Sequence, residues 1–365
     1  MPSDVVRIGI VGAGGIVRQR HMPGLQTIPG VEVVSVCNRR RDSAEAFAAE
    51  YGIPRVVDHW RQVVDDPDVD VVWIGTTPYM HARISVAALD AGKHVFCQAR
   101  MARNLAEARA MVAAADRHPD LVVAICPPPF GMVGEATMQR LLRRERVVGT
   151  VQQVRLTMLA ASLTAGEPEL HWRQDIEQSG NNVLTVGIYA EVMHRWVGRA
   201  VELQARADLY TRQRRDPATG EFVNVQIPDS VSVIGQLASG ADFVYQWSGA
   251  AHLGPTGELW VFGDAGTLTY DFGADRIRHA ALDDTELRDV PIPEHERGGW
   301  QVEADFIRAV REGGDTGLSP DFTTGEHYME FLEALTHSAR HGQRVYLPLA
   351  LHICFSFPTP CLGVG

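Results

Sequence analysis

The sequence predicts two units in one chain: an α/β unit built on a parallel sheet, then an α+β unit with an open, mostly antiparallel sheet. Three observations predict it. The first third alternates short β-branched runs with amphipathic helical patterns, the arrangement of strands joined by crossover helices. Cys126-Pro127-Pro128-Pro129 then breaks the pattern, because three prolines continue neither a central strand nor a helix interior. Beyond it the chain turns to strand-like alternation, the mark of an antiparallel sheet with one covered face.

In order, Val5–Val11 reads as a strand, Ile16–Thr27 as a helix and Val31–Cys37 as a second strand. Ser43–Tyr51 is alanine-rich and helical, and Val69–Ile74 is a buried strand. His81–Ala91 reads as a helix, Lys93–Phe96 as a strand, Leu105–Arg117 as a helix and Leu121–Ile125 as the last strand of the set. The domain boundary falls at the prolines, giving units over 1–126 and 127–350 and an apolar tail over 351–365. In the second unit a helix over Val133–Glu145 precedes strands at Val151–Met158, Val201–Tyr210, Ser230–Leu237, Phe243–Ser248, Gly257–Phe262 and Gly266–Phe272. Helices are expected at Gly180–Val197, Trp300–Arg311 and Thr324–His341.

The 365 residues suit two units sharing an interface, and 45% hydrophobic content with mean hydropathy near zero is that of a globular protein. A net charge of -11 argues against a nucleic-acid binder, which needs a basic face. No run approaches the roughly 20 apolar residues of a membrane span, and Val5–Val11 is too short for a signal peptide. Five scattered cysteines with no Cys-x-x-Cys pair suit a reducing cytoplasm and leave no metal site. The expectation is a cytoplasmic protein.

Gly9-Ile10-Val11-Gly12-Ala13-Gly14-Gly15-Ile16-Val17 follows a strand and opens a helix. Gly12, Gly14, Gly15 and Ile16 there would let backbone N–H groups meet a pyrophosphate at a helix N-terminus, the Rossmann arrangement. The third glycine position of that pattern holds Val17. At the end of the second strand an acidic residue would bind a ribose 2′-hydroxyl and repel a 2′-phosphate. This chain has Asn38, Arg39, Arg40 and Arg41 instead. Guanidinium groups without that carboxylate favour NADP over NAD, since arginine pairs bidentately with phosphate. The alternative is a solvated basic turn.

Gly92-Lys93-His94-Val95-Phe96-Cys97-Gln98-Ala99-Arg100-Met101-Ala102 resembles a strand end of the glucose–fructose oxidoreductase / inositol dehydrogenase / rhizopine catabolism (Gfo/Idh/MocA) family, where Glu-Lys-Pro lies beside the nicotinamide. Four further blocks resemble the same family: the glycine loop, Ile74–His81, Gly180–Trp196, and Glu303–Phe306 with Val345–Leu349. Trp260–Leu268 is similar to its sheet hairpin.

The resemblance implies an NAD(P)-dependent oxidoreductase acting on a sugar, polyol or related ring hydroxyl or ketone. It also implies Thr76, Thr77, Pro78 and His81 along the cofactor, and a homo-oligomer formed through the second sheet. The family lysine is Ala99 here, the aspartate of the second motif is Thr185, and its histidine or tyrosine is Tyr189. Tyr189 is therefore the expected acid/base, with Gln98 and Arg100 at the reacting end. His194 is either a relay or a satisfied helix histidine. Trp172 and Arg173 either hold a substrate hydroxyl or the cofactor amide, or form a packed Trp with a surface Arg. Asn181 and Asn182 either bind substrate hydroxyls or cap the following helix. With no proline at 100, an ordinary trans peptide is expected, with Arg100 reaching an anionic group. The competing class keeps the fold without net redox chemistry, as a lyase, isomerase, hydrolase or cofactor-binding protein.

Overall fold

The computed structural model describes residues 5–126, 132–164, 169–313 and 317–350. The prolines at the expected boundary and the tail lie outside the described residues. Strand β1 (Val6–Val11) leads into a π turn (Val17–His21) that continues as an α-helix (Met22–Gln26), together α1. Then come β2 (Val31–Cys37), α2 (Arg41–Tyr51), β3 (Arg55–Val56), α3 (Trp60–Val64), β4 (Val71–Ile74) and α4 (Pro78–Asp90). The set closes with β5 (His94–Cys97), α5 (Leu105–Arg117) and β6 (Val123–Ile125). The six strands are all parallel, in the order β3-β2-β1-β4-β5-β6. Every residue of β4 is buried, as a strand covered by helices on both faces requires. β3 and α3 escape sequence reading because two and five residues are too short to show a period.

The second unit contains α6 (Glu135–Gln139, continued by a π turn over Arg140–Arg144), β7 (Val151–Leu159), α7 (Ile176–Ser179), α8 (Val186–Trp196) and β8 (Ala200–Asp208). A small hairpin pairs β9 (Gln213–Arg215) with β10 (Phe222–Asn224). Strands β11 (Ser230–Leu237), β12 (Asp242–Ser248), β13 (Glu258–Gly263), β14 (Gly266–Asp271), β15 (Arg276–Ala281) and β16 (Arg288–Val290) follow. Helices α9 (Val302–Glu312) and α10 (Phe322–His341) and strand β17 (Val345–Tyr346) complete it. The nine-stranded sheet runs β16-β15-β14-β13-β7-β12-β11-β8-β17, and only β12 and β7 pair in parallel. β15 and β16 lie toward one edge, where exposure permits the charged residues that hide a strand pattern.

Helices α9 and α10 both pack across the two units. Helix α10 packs against both α5 and the inner face of the second sheet, where Phe331 meets Phe243 and Ser338 Oγ accepts from the Ala205 N–H at 2.8 Å. Helix α9 returns to the first sheet: Phe306 sits edge-on to Trp73 and Phe96, whose rings stack 3.8 Å apart. The helix expected from Gly180 starts only at Val186. Asn181 and Asn182 are drawn away to brace other elements, so Thr185 takes the N-cap position. The Asn181 amide donates to Glu333 Oε2 at 3.0 Å, and that of Asn182 to the carbonyls of Ala102 and Ser179.

Candidate active site

A cleft of about 950 Å³ runs along the carboxyl ends of the first sheet and is closed by residues of the second unit. Gly12 has φ +90°, and a side chain there would strike the backbone of Thr76. A Cβ on Gly14 would meet only the Gly75 carbonyl, at 4.0 Å, and Gly15 faces open space; that room, beside the backbone at the start of α1, fits a pyrophosphate. Val17, in the place of the third glycine, is fully buried. A Cβ on Gly75 would lie 2.5 Å from its Cγ2, so the small residue needed for close packing has moved to the facing turn.

Asn38 anchors this loop. Its Oδ1 accepts from the Ala13 N–H at 2.6 Å and its Nδ2 donates to Ser43 Oγ at 3.0 Å. Arg39 and Arg40 line the cleft beside it. Arg40 is paired with Asp42, and Arg41 is turned to Glu45 and Asp58. Exposed Arg39 has no ion pair among the described residues.

Thr76 and Thr77 line the cleft, while Pro78 and His81 are buried behind it in the first turn of α4. His81 bridges two backbones: Nδ1 lies 2.9 Å from the Arg100 carbonyl and Nε2 2.9 Å from the Thr76 carbonyl. Burial holds its pKa below the usual imidazole value. A neutral ring donates to only one of these two acceptors. Its role is to tie the Thr76 turn to the segment after β5.

Gln98, Ala99 and Arg100 all reach the cleft. The Ala99–Arg100 peptide is cis, not the trans bond expected without proline. Losing the proline does not free this backbone, because its neighbours are held: His81 binds the Arg100 carbonyl and the Tyr328 hydroxyl accepts from the Met101 N–H. Behind Gln98 stands a buried chain that the sequence reading missed. In the tautomer with its proton on Nδ1, His21 donates to Glu303 and accepts from the Gln98 amide. Trp300 Nε1 also donates to Glu303, at 2.9 Å. His21 lies one turn after Val17 on the buried side of α1, and Glu303 sits in the closing block. Nothing local links residues 282 positions apart.

The opposite wall is Leu170, Trp172, Arg173, Gln178, Thr185 and Ile188. Gly187 lets α8 lie close on α10, since a Cβ there would sit 2.9 Å from Leu332 Cδ1. Tyr189 is half-buried, edge-on to Phe272, and is not among the side chains that wall the cleft. It follows Thr185 by four residues, its N–H donating to the Thr185 carbonyl at 3.1 Å, so the two share one helix face. Burial, then the Asp275 carboxylate, raise its phenol above the ordinary value. His194 faces the core against Phe331, its pKa pushed down to about 3 by burial; it is a neutral packing residue. Asn182 braces the cleft from behind without lining it. Arg20, Tyr79 and Trp300 also line the cleft and carry no motif that marks them in the sequence.

A glycine loop between strand and helix, a basic corner at the next strand and a second unit roofing the cleft define a dinucleotide-dependent oxidoreductase. The chain belongs to the Gfo/Idh/MocA oxidoreductase family: residues 6–125 match its NAD-binding Rossmann fold and residues 136–269 its C-terminal domain. It is 28% identical to dTDP-3,4-didehydro-2,6-dideoxy-α-D-glucose 3-reductase of Streptomyces antibioticus, over 86% of this chain and 91% of the reductase. It is 25% identical to levoglucosan dehydrogenase of Pseudarthrobacter phenanthrenivorans, over 94% of this chain and 98% of that enzyme. A solved levoglucosan dehydrogenase in complex with NADH and L-sorbose shares the fold, with TM-score 0.82 at 22% identity over 94% of this chain and 99% of that one. No helix among the described residues is long and apolar enough to cross a membrane.

Proposed function

We propose that this oxidoreductase interconverts a ring hydroxyl and ketone of a sugar or polyol derivative, prefers NADP over NAD, and works most readily as a carbonyl reductase. Residues 1–126 serve the cofactor and 127–350 the substrate and assembly. The observation that carries the directional reading is chemical: Ala99 and Thr185 offer no base at the two positions that hold lysine and aspartate in the family pattern the sequence resembles. The glycine loop would hold the pyrophosphate, Asn38 and Arg39 the adenosine ribose and its phosphate, and Thr76, Thr77 and Gln98 the nicotinamide end. When bound, the nicotinamide supplies or accepts the hydride.

The chain's own groups position the substrate and move one proton. Gln98 is fixed by His21 and Glu303, so its amide meets the cleft in one orientation. Tyr189 does not itself wall the cleft, but it shares a helix face with Thr185, which does, and from one turn behind that residue it would be the proton donor. With its pKa raised, the phenol stays protonated at neutral pH: it can give a proton to a carbonyl that gains hydride, but is a poor base for the reverse step.

Tyr189→Phe tests this. Carbonyl reduction should fall by ~10²–10⁴-fold, the usual contribution of a general acid, with cofactor affinity unchanged. In the unaltered protein, reduction should be flat from pH 6 to 9, while oxidation climbs as pH rises toward the elevated phenol pKa. Unchanged reduction by the Phe variant removes Tyr189 from the mechanism. Spectral changes of bound NADPH on adding candidate sugars separate turnover from the non-redox alternatives.

A further inference from the structure

The reacting end of the cleft carries positive charge that the described residues do not balance. Arg100 is 6% exposed and lines the cleft, and its Nε is buried without a hydrogen-bond partner. No carboxylate pairs with it among the described residues. Arg173 lines the same cleft, stacked over Trp172 with its guanidinium carbon 4.3 Å from the ring centre, and among the described residues its only side-chain hydrogen bond is to His171 at 3.5 Å. Burial and then Arg173 push the Arg100 pKa down to about 10, which leaves it a cation at neutral pH. Burial, then Arg173 and Arg100, hold His171 below its usual value. A nearly buried charge beside a second like charge is costly unless something neutralises it. At this wall the position that an aspartate fills in the family pattern holds Thr185.

Strand order tells which anion this is. Asn38 follows β2, the glycine loop follows β1, Thr76 follows β4 and Arg100 follows β5, and these strands are neighbours in the order β2-β1-β4-β5. Two strand spacings, about 10 Å, separate the end of β1 from that of β5. Arg100 therefore stands away from the loop that fits a pyrophosphate, at the end where the second unit supplies Trp172, Arg173 and Thr185.

Resting on the oxidoreductase reading above, we propose that the substrate is an anionic sugar derivative, its carboxylate or phosphate clamped between Arg100 and Arg173. The guanidinium forks match either oxyanion. Ala99 and Thr185, small and uncharged, bring no competing carboxylate to the pair.

The test uses the full chain loaded with NADPH, titrated calorimetrically with glucose, gluconate, glucuronate and glucose 6-phosphate. At least one anionic member should bind about tenfold or more tightly than glucose, the scale of a charged hydrogen bond. Arg100→Gln and Arg173→Gln should each erase that advantage, and Arg100→Lys should restore part of it, with NADPH affinity within about twofold of the unaltered protein. Gluconate and glucuronate against glucose 6-phosphate decide between carboxylate and phosphate. Equal binding of neutral and anionic sugars, with NADPH still held, overturns the proposal and leaves the oxidoreductase reading intact. A loss of NADPH affinity in Arg100→Gln, without change in sugar binding, also overturns it by assigning the arginine to the cofactor. Failure of the unaltered protein to bind NADPH would instead defeat the reading beneath it. Arg173 is accessible at the cleft mouth, so its variant tests the clamp even if the buried Arg100 variants fold poorly.

Discussion

Replacing Arg39 by alanine isolates what selects the cofactor. Three arginines follow Asn38, but two are committed: Arg40 to Asp42, and Arg41 to Glu45 and Asp58. Of these three, only Arg39 is without an ion pair among the described residues, and it lines the cleft. A charged hydrogen bond from its guanidinium to a 2′-phosphate is worth ~1.5–3 kcal/mol. Its exposure to solvent places the expected value at the lower end, about 1.5 kcal/mol or roughly tenfold in Kd. NADPH affinity, read by the quenching or enhancement of its fluorescence on binding, should therefore weaken about tenfold in Arg39→Ala while NADH affinity stays within about twofold. Arg40→Ala should do less, because its partner Asp42 already holds it. The NADPH advantage should also shrink as salt rises from about 0.05 to 0.5 M, since an exposed pair is screened. The reasoning fails if Arg39→Ala weakens both cofactors equally, or if the unaltered protein prefers NADH.

Gly75→Ala should raise the Kd for either dinucleotide and cost ~1–3 kcal/mol of stability by overpacking, because the new Cβ would lie 2.4 Å from the Gly12 carbonyl and 2.5 Å from Val17; thermal unfolding and cofactor titration read both. Ile234→Glu should drive the protein to monomer in light scattering with catalysis per chain altered less than assembly, because Ile234 and its pair Val244 stand 53% and 46% exposed on the outer face of the nine-stranded sheet. An unaltered protein that is already monomeric would dismiss the sheet as an assembly surface.

What the sequence made legible follows from where the determining physics is local. The glycine loop, the strand ends at Cys37 and Cys97, and helix α5 are written in runs of adjacent residues whose period or backbone freedom is visible without the fold. So is the absence of a base at Ala99 and Thr185. Helix α8 starts later than the pattern from Gly180 suggests, because Asn181 and Asn182, which locally suit either substrate hydroxyls or a helix cap, have their amides claimed by Glu333 and Ala102, on segments remote in sequence.

The same limit hid the support of Gln98. His21, Glu303 and Trp300 each have an ordinary local reading, and only the return of α9 to the first sheet brings them together. Arg100 shows the two kinds of information meeting. The sequence identifies a cation where the family pattern has a proline. The fold then buries it, pairs it with no carboxylate among the described residues and sets Arg173 across the same cleft. A positive charge at an exposed turn would need no partner, because water would solvate it. At 6% exposure that solvation is mostly gone, and the compensation has to come from what binds. The substitution that removes the usual proton carrier is thus flanked by one that adds a fixed charge, which moves this site's specificity toward substrates that bring an anion of their own.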